Sequence, residues 1–89
     1  MKRRELKKRI NYLCGDLIAE CITIYKWGAK DVSKEKVENI MKNILLMQKD
    51  LVERLSHVEP GSEKVFFKKL KNDMIDMTNE IIDQIKALA

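Results

Sequence analysis

The chain reads as an all-α protein, an up-down-up antiparallel three-helix bundle with helices over about 3–27, 33–58 and 62–87. Three observations predict it. Apolar residues recur with the 3.6-residue period of a helix in three stretches of similar length. Two short breaks, and no others, interrupt that period. The composition is rich in Leu, Ile, Met, Lys and Glu, with three Gly and one Pro. Of these, Leu, Met, Lys and Glu lose little rotamer freedom in a helix.

In the first stretch Leu6, Ile10, Leu13, Cys14, Leu17, Ile18, Cys21, Ile24 and Tyr25 fall in one arc of about 140° when each residue turns by about 100°. The first break follows, Gly28-Ala29-Lys30-Asp31-Val32-Ser33. Gly28 can end a helix in the left-handed conformation, and Asp31 or Ser33 can cap the next one. In the second stretch Val37, Met41, Ile44, Gln48, Leu51, Leu55 and Val58 step alternately by four and three, a heptad seam of the coiled-coil kind. Ile40, Leu45, Met47 and Val52 widen it. The second break, Glu59-Pro60-Gly61-Ser62, joins a Pro-Gly turn to a helix start. Phe67, Leu70, Met74, Met77, Ile81, Ile85 and Leu88 form the third seam, flanked by Phe66, Ile75 and Ile82. Connections this short make consecutive helices antiparallel. Counting outward from the turns stacks Cys14, Met47 and Met74 in one sulfur-rich layer. Trp27, at the end of the first helix, is expected to lay its apolar body on the open end of the core.

Length sets the scale. Eighty-nine residues make one domain, 1–89, whose stretch 1–5 is expected to be a frayed basic start. A core this thin is often supplemented by oligomerisation. No run of about 18 apolar residues is present, so no membrane span is expected. The basic start resembles a signal-peptide n-region, but Asp16 and Glu20 interrupt the apolar stretch after it. A cytoplasmic protein is therefore expected.

The stretch Tyr12–Cys21, YLCGDLIAEC, holds the residues nearest to a chemical site. Cys14 and Cys21 lie about 10.5 Å apart along one helix, beyond the reach of about 7 Å that a disulfide allows. His57, the single histidine, falls level with the start of the first helix, far from both cysteines. No CxxC or HxxxH spacing occurs. Thiol and thioether groups suit a soft metal, but in helical cores they more often fill irregular gaps, so no metal and no cofactor are expected. Asp16, Asp73, Asp76, Glu80 and Asp83 point outward, and no Glu-x-x-His pair occurs. Ser56 and His57 are adjacent on a helix and point about 100° apart. With no Gly-rich phosphate loop either, the chain is expected not to be an enzyme.

Charge and exposed apolar groups suggest binding instead. Residues 1–9 hold six basic side chains and one acidic one. The bundle end built from the start of helix one and the second turn is therefore basic. Cations are unfavourable at a helix N-terminus, so this pole is a candidate anion-facing surface. Arg3, Arg4, Lys7, Lys8, Arg9 and Lys68 are its candidate residues for nucleic-acid phosphates, although that end lacks an exposed aromatic platform. Tyr12, Ile22 and Leu46 fall outside the apolar arcs, and Ile44-Leu45-Leu46-Met47 is apolar all round its helix. Such a surface is usually covered. The leading expectation is a protein-binding or self-assembling module that docks a homodimer mate or another helical protein through Tyr12, Ile22 and Leu46. Nucleic-acid binding is the alternative.

Overall fold

Residues 3–28, 32–58 and 61–88 are described by a computed structural model. It contains α1 (Arg3–Trp27), α2 (Lys34–Leu55) and α3 (Glu63–Lys86), with no strand among the described residues. Sequence readings that fall on Met1, Lys2, Asp31 and Pro60 lie outside those residues. α1 packs on α2 and α2 on α3, whereas α1 and α3 hardly meet. The molecule is the expected three-helix bundle, drawn out to 52 × 18 × 17 Å. Its radius of gyration of 14.8 Å exceeds the about 12 Å of an equally long compact domain.

Local chemistry sets the helix ends. The Ser33 hydroxyl accepts the Lys36 N–H at 3.4 Å, capping α2 from an extended backbone. α2 ends at Leu55, three residues before the expected boundary. The N–H groups of Ser56 and His57 donate to Glu53 and Arg54 carbonyls at 3.0 and 3.2 Å, a tightened last turn. Gly61 takes φ = 90°, the left-handed region open to glycine. Gly28, expected to be left-handed, is not among the positive-φ residues. A Cβ at Gly28 would run into the Ile24 carbonyl oxygen, so close approach of backbone is what requires glycine there.

The core follows the predicted arcs. α1 buries Leu6, Ile10, Cys14, Leu17 and Cys21; α2 buries Val37, Ile40, Ile44, Met47, Leu51 and Leu55. α3 buries only Leu70, Ile81 and Ile85. Its Phe66, Phe67, Met74, Met77 and Ile82 are half-buried against the same cluster. α3 packs on α2 less extensively than α1 does.

Register across the first pair is as expected, with Gln48 Nε2 donating to Asn11 Oδ1 at 2.8 Å. Across the second pair it differs. Asn43 Nδ2 donates to Gln84 Oε1 at 3.2 Å and Arg54 Nη2 to Asp73 Oδ2 at 2.8 Å. Both partners lie about six residues beyond the expected level, roughly 9 Å of helix rise. The Cys14–Met47–Met74 layer is therefore split: Met47 shares a groove with Met77 and Ile81, and Met74 shares one with Leu13. Residues 56–62 span the second connection and are long enough to permit the slip. At the displaced register both polar pairs close. One consequence is that α3 stops short of the first-turn end. Trp27, expected on the core, is 82% exposed, since it falls about 100° round α1 from the buried line, in the phase of exposed Arg9.

The Arg54 cluster yields a pH prediction. Arg54 hydrogen-bonds Asp73, and Lys69 Nζ lies 3.3 Å from the same carboxylate. These contacts, Arg54 first, hold the Asp73 carboxyl below its ordinary range despite partial desolvation. A lowered carboxylate pKa stabilises the fold above the unfolded-state value and loses that stabilisation as pH falls through the folded one. Asp73→Asn is thus expected to melt below the parent near neutrality, with the gap closing in strong acid. Melting curves followed by circular dichroism across that range check it; a gap unchanged by acid would contradict it.

Candidate functional site

Two grooves run along the outside of the α1/α2 pair, and neither includes an α3 residue. The first lies at the end that α3 leaves uncovered. It is lined by Ile22, Tyr25, Val37 and Met41, with Lys26, Lys34 and Glu38 at its rim. The second, at the opposite end, is lined by Arg3, Arg4, Lys7, Val52, Leu55 and Ser56. Helical phase places half-buried Ile18 and exposed Leu45 between them on the same side. Gln48 and Asn11 cross the middle. The result is one face along the rod, apolar from the first-turn end to Ile18 and Leu45, polar where Gln48 and Asn11 cross it, and basic at the other end.

The expected interface residues do not form a single patch. Ile22 belongs to this face. Leu46 lines a separate groove between α2 and α3, beside Asn43, Asp50, Glu80 and Gln84. Tyr12 is exposed about 15 Å from Ile22 along α1 and turned a further 80° or so around it. The Ile44–Met47 run resolves the same way. Ile44 and Met47 are buried, Leu45 (53% exposed) turns to the α1/α2 outer face, and Leu46 (56%) turns toward α3. Sequence reading missed Tyr25, Met41 and Leu45 as face residues because they lay on the edges of core arcs. The available signal was that those edges coincide once α1 and α2 are antiparallel.

Of the expected basic patch, Arg3, Arg4 and Lys7 gather at the second groove, where Arg3 Nη2 donates to the Val58 carbonyl at 3.4 Å. Lys8 is exposed at the margin of the same face. Arg9 and Lys68 are exposed on other sides of the rod. None of the six is in an ion pair among the described residues.

Cys14 and Cys21 are free and buried, and burial raises both thiol pKa values, with Glu20 adding to the effect at Cys21. A raised pKa leaves little thiolate to react. Native protein should therefore modify slowly with iodoacetamide at neutral pH, and denatured protein rapidly at both cysteines. Fast alkylation of the folded form, followed by mass spectrometry, would contradict this placement. No group of three or more His, Cys, Asp or Glu able to hold a metal occurs among the described residues. The Ser56 hydroxyl donates to the Val52 carbonyl at 3.5 Å, and His57 is exposed beside it. No helix among the described residues is long and apolar enough to cross a membrane.

Fold and surface together define a small elongated helical bundle with one long unpartnered face. No family model matches the chain, and neither a curated protein nor a solved structure does.

Proposed function

We propose that this protein is a non-catalytic interaction module that receives a partner protein on the outer face of α1 and α2. The observation that carries the reading is the continuous apolar strip of Ile18, Ile22, Tyr25, Val37, Met41 and Leu45 on the side opposite α3. Helices bury such stripes against other helices, and α2 already does so against α3. The dye anilinonaphthalene sulfonate, which lights up on accessible apolar surface, tests the strip. Native protein should enhance its fluorescence, Leu45→Glu should abolish most of that signal, and Leu46→Glu should leave it. Equal signals from both variants would contradict the reading.

Self-association is a second reading, and a different surface favours it. The shallow α1/α3 seam is lined by Leu13, Met74, Ile75, Thr78 and Asn79, with Ile75 exposed and the Thr78 hydroxyl lacking a hydrogen-bond partner. Arg9 and Lys71 flank this seam on one side of its centre, and Asp16 and Glu20 on the other. A two-fold axis at the centre brings opposite charges together. Light scattering coupled to size exclusion should show a dimer that Ile75→Glu converts to monomer. A monomer at high micromolar concentration rules this reading out.

A further inference from the structure

We infer that the occupant of the α1/α2 outer face is an acidic amphipathic helix supplied by another protein. This inference rests on the interaction-module reading and specifies its partner. The charges beside the apolar strip are sorted by sign. In the arc of roughly 120° that each helix turns to this side, α1 carries Arg4, Lys7, Lys8 and Lys26 and no acid. α2 carries Lys34, Lys42 and Lys49 with Glu38, and Glu35 and Glu53 fall about 20° past Lys42. Glu38 lies 3.9 Å from Lys34, so the other six cations have no ion-pair partner among the described residues. The acids of α1, Glu5, Asp16 and Glu20, fall on its other side.

This arrangement selects among occupants. A second copy docked by the same face would set one row of cations against another, which opposes association. The acidic surfaces of the chain itself do not match the groove. α3 presents Asp76, Glu80 and Asp83 without an apolar ridge, and α2 presents Asp50 and Glu53 around Leu46 alone. A foreign helix with an apolar stripe flanked by Glu or Asp satisfies both features: its stripe fills the Ile22–Met41–Leu45 groove and its acids meet the lysine rows. α3 shows that the opposite side of α2 already accepts an amphipathic helix. The free face runs most of the rod, so a partner helix of about 20 residues, roughly 30 Å, would cover it.

The test uses the full chain and two synthetic peptides of about 21 residues, sharing one leucine stripe, one flanked by Glu and the other by Gln. Calorimetry should show the Glu peptide binding at least about tenfold tighter than the Gln peptide, with the advantage vanishing at high salt. Lys34→Glu with Lys42→Glu should remove it as well, and Leu45→Glu should weaken both peptides. These residues are exposed, so unchanged circular dichroism will confirm that the variants fold. Equal binding of the two peptides overturns the acidic chemistry and leaves the interaction-module reading intact. Binding of neither peptide overturns both. Salt-dependent binding of duplex DNA or of phosphatidylglycerol vesicles, without peptide binding, assigns the lysine rows to phosphates and also overturns the proposal.

Discussion

Replacing Ile44 by alanine is expected to cost about 3 kcal/mol of unfolding free energy, and replacing Leu46, two residues later, less than about 0.5 kcal/mol. Both residues belong to an unbroken apolar run, so hydrophobicity alone predicts similar losses. The structure separates them. Ile44 is 0% exposed at the centre of α2, within the cluster that joins buried residues of all three helices. Truncation there removes buried methyl groups and leaves a cavity that two packed neighbours restrict from closing. Leu46 lies at the edge of an open groove and has little transfer free energy to lose. A domain of this length is expected to be stable by roughly 4–13 kcal/mol, so the first loss is a large fraction of the total. Urea denaturation of the two variants measures the contrast. Similar midpoints would mean that α2 is rotated from the orientation described.

Leu70→Ala is expected to cost a similar amount, about 3 kcal/mol, but to distribute the damage unevenly. α3 has three buried side chains against five in α1 and six in α2, and Leu70 alone anchors its first half. Its remaining apolar contacts are half-buried, and it draws almost none from α1. Local opening free energies track buried contacts, so α3 is the element that the parent protein opens first. Without Leu70, α3 amides should exchange close to freely while α1 and α2 amides keep most of their protection. Hydrogen exchange followed by mass spectrometry reads this directly. A uniform loss of protection in all three helices would show that α3 is integral to one cooperative unit.

The parts of the fold legible in the sequence were those written in periodicity. Gly28, Ser33 and Gly61 marked the ends of α1, α2 and the second turn, and the buried side chains of each helix came from its apolar arc. What periodicity does not encode is translation along the helix axis. A heptad seam such as Leu70–Met77–Ile81 fits its partner at several registers, and the one adopted is that at which both polar pairs close. Arg54–Asp73 and Asn43–Gln84 join residues too distant in sequence for any local pattern to show. The slip leaves the first-turn end without α3, while the Ile22–Tyr25–Met41 groove is open at any register because it lies on the side opposite α3. The candidate face was only partly visible, through Ile22 and the N-terminal cations. Tyr25, Met41 and Leu45 join it when two helices turn their arc edges to the same side.

The most direct test of that face is a residue-resolved one. Amide proton–nitrogen correlation spectra of the full chain, recorded while the Glu-flanked amphipathic peptide is added, report which helices meet it. Shifts are expected to concentrate at Ile18, Ile22, Tyr25, Val37, Met41 and Leu45, with the outer residues of α3 such as Asp76 and Asp83 unmoved. Shifts concentrated on α3 or around Leu46, or none at all, would contradict it.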